Sequence, residues 1–137
     1  MIVGVGVDLI ELERMNRVVH RFGERFLRRI FTDEELSYCH GKRDAVPHLA
    51  VRFAAKEAAF KAIRKHEGDG IAWQDVWLVN DSGIPNLQWS SRFAKRLREI
   101  GGGEGWVSVS HSRQFAVAHV VIVSAHRDPK LAPSSPR

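Results

Sequence analysis

The sequence holds a single cysteine, Cys39, in 137 residues. One thiol excludes an intrachain disulfide and cannot build a structural zinc site, and it fits a reducing, cytoplasmic address. No apolar run approaches the length of a membrane span. The opening stretch Met1–Asp8 has no basic residue and places an acid where a secretion signal would still be apolar, so no export signal is expected. The dinucleotide fingerprint is incomplete, because Gly4 and Gly6 are followed by Leu9 where a third glycine would stand. No phosphate-binding loop ending in Gly-Lys-Ser/Thr and no Gly-x-Ser-x-Gly elbow occurs. Ser110 and His111 are neighbours in an extended segment and point to opposite faces, which excludes a nucleophile–base pair. Seven histidines are present, but none recurs at the i, i+4 spacing of a helical zinc site.

What is present describes one domain, expected over residues 1–124, with a Pro/Ser/basic tail over 125–137 expected to be disordered. Twenty-one Lys and Arg against sixteen Asp and Glu leave a net charge of +5, which favours an acidic partner: nucleic acid, a phosphorylated small molecule or an acidic protein. Residues 2–8 alternate Ile or Val with Gly and end on Asp8, a strand packed tightly on one face. A helical pattern runs from Ile10 to Val19. Arg14, Arg17, Arg21, Arg25, Arg28 and Arg29 are interleaved with Phe22, Phe26, Leu27 and Ile30. Thr32 and Glu35 have the spacing of a capping box for a helix ending near His40. After a polar connection over 41–47, a long central helix is expected from about His48 to Lys65. Residues 73–79 and 87–89 read as strands around an Asn80–Gly83 turn. Ser90 caps a helix that stops at Gly101, and 106–110 with 115–124 form a hairpin whose second strand, apolar on both faces, should be central.

The central helix carries the densest chemistry. At about 100° per residue, Ala54, Ala55, Ala58, Ala59, Ala62 and Ile63 share one side, while Arg52, Phe53, Lys56, Glu57, Phe60 and Lys61 share the other. Glu57 and Lys61 could be no more than a solvated i, i+4 pair worth about 0.2–0.5 kcal/mol. Arg52 and Lys56, however, repel at the same spacing unless an anion lies between them. Two hard oxygen donors, Asp8 and Glu57, among cations suited to phosphate are a set that can hold Mg²⁺, and phosphoryl-type transfer asks for little more than a metal, cationic clamps and positioning. A basic non-catalytic module that binds nucleic acid or another phosphorylated ligand through phosphate contacts is the alternative. The two acids argue against it, since without a metal they would repel phosphate.

Val5-Gly6-Val7-Asp8, Arg14, Phe31-Thr32 with Glu35, Arg52-Phe53-Ala54-Ala55-Lys56-Glu57-Ala58 with Lys61-Ala62, Gly83-Ile84-Pro85 and Val107-Ser108-Val109-Ser110-His111 stand in order over residues 2–123. In this the chain resembles the holo-acyl-carrier-protein synthase family, the short 4′-phosphopantetheinyl transferases. One departure is the charged segment Ile63–Gly70, where the family carries a short Gly-Thr-Gly turn. The resemblance implies an α+β fold, with a mixed or antiparallel sheet packed on the long central helix. It implies transfer of the 4′-phosphopantetheine arm of coenzyme A to a serine of an apo acyl carrier protein, with release of adenosine 3′,5′-bisphosphate.

Residue by residue, it implies Asp8 and Glu57 as Mg²⁺ ligands and Lys61 as the electrostatic catalyst that steadies the departing bisphosphate. Glu57 or a water would accept the serine proton. Arg52, Lys56 and Lys61 would hold coenzyme A phosphates, and Gly83, Pro85, Ser110 and His111 would frame the adenine and 3′-phosphate. Arg14, Arg21 and Arg25 would dock the acidic carrier, with Phe26 or Phe53 as an apolar contact. A homotrimer with the site at a subunit boundary is implied, and a carrier of fatty-acid, polyketide or peptide synthesis is admitted.

Overall fold

The alternation of branched residues with glycine produces β1 (Ile2–Glu11), which runs past Asp8 before the chain turns into α1 (Leu12–Ile30). The computed structural model describes residues 1–125; the expected disordered tail lies, but for Ala125, outside the described residues. α1 is longer than the apolar pattern suggested because it resumes after an interruption at Gly23, where φ is +67°. α2 (Asp33–His40) begins at the expected capping box: Thr32 Oγ1 accepts from Glu35 N at 3.2 Å and Glu35 Oε1 accepts from Thr32 N at 3.1 Å.

The central helix, α3 (Ala45–Ala62), starts earlier than expected, with the Asp44 carboxylate as its cap. Pro47 falls in its first turn, where a missing N–H removes no helical bond. It also stops earlier. A 3₁₀ turn over Trp73–Asp75 leads into the hairpin of β2 (Val76–Asp81) and β3 (Ile84–Trp89), followed by α4 (Ser91–Glu99), β4 (Gly102–His111) and β5 (Phe115–Ser124).

Every strand pair is antiparallel. One sheet has the order β1-β5-β4 with β5 central, as its two apolar faces indicated, and β2 and β3 form a separate two-stranded sheet. α3 lies across one face of the larger sheet at very short range. A Cβ at Gly6 would stand 1.8 Å from the Ala58 carbonyl oxygen, and one at Gly4 would stand 2.0 Å from that of Ala62. Glycine in the strand and alanine in the helix are therefore one device, removing side chains from both surfaces so that the backbones meet.

The other side of α3 is not solvated as its charges suggested. α1, α2 and β2 pack there, and α3 is buried almost all round; Phe60, Val51 and Leu49 face the core while Arg52 and Lys56 are enclosed. Among the described residues, no element packs on the opposite face of the sheet. Val5, Val7 and Leu9 of β1, Phe115 and His119 of β5, and Trp106 and Ser108 of β4 all stand exposed there, Leu9 at 62% and Trp106 at 63%. No helix among the described residues is long and apolar enough to cross a membrane.

Candidate active site

Asp8 points from β1 toward α3, because Val7 and Leu9 on either side of it take the outer face. The close approach at Gly4 and Gly6 brings that carboxylate to the last turns of the helix. Lys61 Nζ donates to Asp8 Oδ1 at 3.1 Å and to the Val7 carbonyl at 2.9 Å, bridging helix to strand. Glu57 lies one turn earlier and is half-buried. Its carboxyl is held above the ordinary value by burial first and then by the negative charge of Asp8, with Lys61 and Lys65 acting in the opposite sense. Two carboxylates that repel one another, only partly compensated by lysine, form a donor set suited to a hard divalent cation, and Mg²⁺ is commonly held by two such groups plus substrate oxygens.

Glu57 also forms the wall between two cavities. One, of about 410 Å³, is lined by Asp8 and Arg14 together with Leu9, Met15, Val18, Phe26 and Phe53. The other, of about 460 Å³, has Lys61, Lys65 and His66 at its rim and Trp73 in its lining. An apolar chamber with one arginine and a cationic chamber thus meet at the paired carboxylates. Phe53 and Phe60 divide between roles: Phe60 is buried against Trp73, with ring centroids 5.3 Å apart, while Phe53 stacks on Trp73 at 5.1 Å and faces the apolar cavity.

Lys56 is not part of this surface, which corrects the expectation that it binds coenzyme A phosphates. Its ammonium is buried, 1% exposed, and its three protons are committed: to Glu35 Oε1 at 2.7 Å, the Val76 carbonyl at 2.6 Å and the Trp73 carbonyl at 3.1 Å. Glu35 in turn accepts from Leu78 N at 3.2 Å, so one ion pair joins α2, α3, the 3₁₀ turn and β2. Burial lowers the Lys56 pKa, and the charge and hydrogen bond of Glu35 oppose that shift. Only the capping-box role of Glu35 was visible beforehand; its second oxygen and its lysine come from elements far apart in the chain.

Arg52 is also enclosed, 3% exposed, away from Glu57. It donates to the His48 carbonyl at 3.3 Å and lies over the Tyr38 ring at 4.1 Å, and its Nε has no hydrogen-bond partner. Around it are His48, whose ring centroid is 6.2 Å from that of His111, and Lys42 over the other residue of this group, Tyr38. His48 is held below the ordinary histidine pKa by burial first, then by the charges of Arg52, Lys42 and His111. Asn80 donates to the Tyr38 hydroxyl at 3.0 Å and pairs with Pro85 across the β2–β3 hairpin, whose turn contains Gly83 at φ +85°.

The site residues therefore fall into two groups within one chain. Asp8, Glu57 and Lys61 stand at one end of α3; Arg52 and His111, with Gly83 and Pro85 nearby, stand toward the other. His48 and Glu57 are nine positions apart, about 13 Å along the helix. Ser110 joins neither, since it shares the outer sheet face with Val117 and Leu9. Arg14, Arg21 and Arg25 are exposed along α1, with Arg14 reaching the apolar cavity and Phe22 and Phe26 between the others.

Comparison with known proteins gives this arrangement a family. Residues 4–118 match the model of the 4′-phosphopantetheinyl transferase superfamily. A holo-(acyl-carrier-protein) synthase from Koribacter versatilis (strain Ellin345) is 42% identical over 123 residues, covering 89% of this chain and 98% of the relative. One from Geobacter sulfurreducens is 39% identical over 123 residues, with coverage of 89% and 98%. The crystal structure of the Neisseria meningitidis holo-(acyl-carrier-protein) synthase superposes with a TM-score of 0.82 at 33% identity, covering 90% of this chain and 100% of that one. The Bacillus anthracis str. Ames enzyme in complex with CoA (3′,5′-ADP) gives 0.75 at 35% identity, covering 91% and 99%. With its matched span and its fold in agreement, the chain belongs to the 4′-phosphopantetheinyl transferase superfamily.

Proposed function

We propose that this protein is a holo-(acyl-carrier-protein) synthase, moving the 4′-phosphopantetheine arm of coenzyme A to a serine hydroxyl of an apo acyl carrier protein and releasing adenosine 3′,5′-bisphosphate. The observation that carries this is the position of Glu57, with Asp8 and Lys61 beside it, on the wall between a cationic and an apolar cavity. Asp8 and Glu57 would hold Mg²⁺, which when bound supplies charge neutralisation at the diphosphate oxygens.

In the transfer, the serine Oγ forms a bond to the phosphorus that bears pantetheine. The bond from that phosphorus to the oxygen of the adenosine nucleotide breaks, and its electron pair leaves with the bisphosphate. Lys61 lies where negative charge gathers on that leaving group. Glu57 or a water beside it takes the serine proton.

The second group of residues supports a role for another copy of the chain. Arg52 and Lys42, with the His48 and His111 rings beside them, form a group that suits a phosphate, yet in one chain His48 lies about 13 Å along α3 from Glu57. The uncovered apolar sheet face suits self-association, and a homotrimer would place one copy's His111 group against another's Glu57. Arg14, Arg21 and Arg25 suit an acidic carrier helix, whose apolar side chains would meet Phe22 and Phe26.

Incubation with coenzyme A, Mg²⁺ and a panel of apo carrier proteins, scored by intact mass, tests the activity: a phosphopantetheine mass gain is expected, and its absence on every carrier refutes the reading. Glu57→Gln should abolish transfer with the fold intact. Arg14→Glu should weaken carrier binding more than coenzyme A binding.

A further inference from the structure

Lys65 stands just beyond the end of α3, four positions after Lys61, in the charged segment that departs from the family pattern. The chain leaves the helix here through Arg64, whose φ is +54°. Arg96 secures the exit by donating from Nε to the Ile63 carbonyl at 3.0 Å and from Nη2 to the Arg64 carbonyl at 3.1 Å. Asp69 braces the far side of the loop, accepting from His66 N at 2.9 Å and Ile71 N at 3.0 Å. Lys65 is thus carried on a turn tied down at both ends.

Its stem is largely covered, and its ammonium sits 5.6 Å from the centroid of the Phe60 ring. The nearest carboxylate oxygen, Asp69 Oδ1, is 3.5 Å away, beyond the length of a good N–H···O hydrogen bond, so the ammonium keeps donors to offer. Lys65 lines the same cavity as Glu57 and Lys61. Lys61 is already committed by hydrogen bonds to Asp8 and the Val7 carbonyl, whereas Lys65, in a lining it shares with His66 and Glu67, is held only by the longer ion pair with Asp69.

We propose that Lys65 is a second phosphate-binding cation of the coenzyme A site, donating to the diphosphate and then to the departing adenosine bisphosphate from the loop beyond α3. This rests on the transferase reading. A polyanion entering a chamber whose principal lysine is hydrogen-bonded to an aspartate gains from a second ammonium that is rigidly carried and engaged only by a 3.5 Å ion pair with Asp69. The aromatic seat under the Lys65 stem limits the entropy lost when it engages.

The test compares the full-length wild-type protein with Lys65→Met, which keeps the stem on Phe60, and Lys65→Arg, which restores the charge. Calorimetric titration with coenzyme A, and separately with adenosine 3′,5′-bisphosphate, should show binding to Lys65→Met weakened by about five- to ten-fold, the scale of one charge-assisted hydrogen bond at a partly exposed site. The salt dependence of that binding should become shallower and the KM for the carrier protein should not move. Lys65→Arg should bind within about two-fold of wild type. Binding by Lys65→Met within about two-fold of wild type overturns the proposal, as does a loss that Lys65→Arg fails to rescue. Mass-shift activity of the wild type on apo carriers is read first. If the wild type binds coenzyme A in a Lys65-dependent way but modifies no carrier, the transferase reading fails while the phosphate contact stands.

Discussion

Replacing Lys56 with methionine separates a structural lysine from a substrate-binding one. The side chain is 1% exposed, and its ammonium satisfies the Glu35 carboxylate at 2.7 Å together with the carbonyls of Val76 and Trp73. Methionine fills the stem's volume but removes all three donors. Glu35 would keep its bonds from Thr32 N and Leu78 N and would still be a buried charge without a counterion. Breaking a buried ion pair on one side costs about 3–5 kcal/mol, a large part of a typical domain stability of about 5–15 kcal/mol. For a domain of this size that corresponds to a fall in Tm of about 10–20 °C. Urea and thermal unfolding followed by circular dichroism measure it. The double variant Lys56→Met/Glu35→Gln, which buries neither charge, should lie closer to wild type than the sum of the two single losses. An unchanged Tm for Lys56→Met, combined with a raised KM for coenzyme A, would refute the reasoning and return Lys56 to the phosphate site.

Three further outcomes follow from the same geometry. Gly6→Ala places a methyl 1.8 Å from the Ala58 carbonyl and should cost about 3 kcal/mol by forcing β1 off α3; a Tm equal to wild type would contradict that close approach. Leu9→Lys on the outer sheet face should yield a smaller species in sedimentation velocity, and an unchanged sedimentation coefficient would show that the face is not a contact between copies. Cys39 is buried and its thiol is pushed from 9.0 up to about 11, so it should resist iodoacetamide in the native protein. Because the native state then keeps a proton that the unfolded state has lost, stability should fall as pH rises from about 9 to about 11, by up to about 3 kcal/mol. A Cys39→Ala variant should lack that component, and identical alkaline slopes would sink the assignment.

Local patterns carried much of this protein. The capping box at Thr32 and Glu35, the Gly alternation of β1, the alanine side of α3, the apolar strand β5 and the helix stop at Gly101 are short-range features. Side-chain size, cap chemistry and period act within a few residues of one another, and the structure has each of them. The hairpin of β4 and β5 followed from the same signals, while the α+β class and the sheet packed on α3 came from the family resemblance.

The helical wheel of α3 misled for a physical reason. Angular position says which residues share a side, but not what covers that side. Arg52 and Lys56 lie on the charged face with Glu57 and Lys61, yet α2 and β2 cover the first two and leave the last two open. Only the tertiary structure supplied Glu35 as the counterion of Lys56, and only it separated His111 from Glu57.

Residue order alone establishes that β1 carries Asp8 beside small residues and that α3 carries Glu57 and Lys61 one turn apart next to an alanine side. Glycine and alanine make a close approach of two backbones possible, and only the three-dimensional fold selects β1 and α3 as the two that meet. Which cations remain free to meet a phosphate was decided by packing. A charge is available for binding only where no neighbouring element has already desolvated and paired it, and here that leaves Lys61 tethered, Lys56 enclosed and Lys65 at the rim.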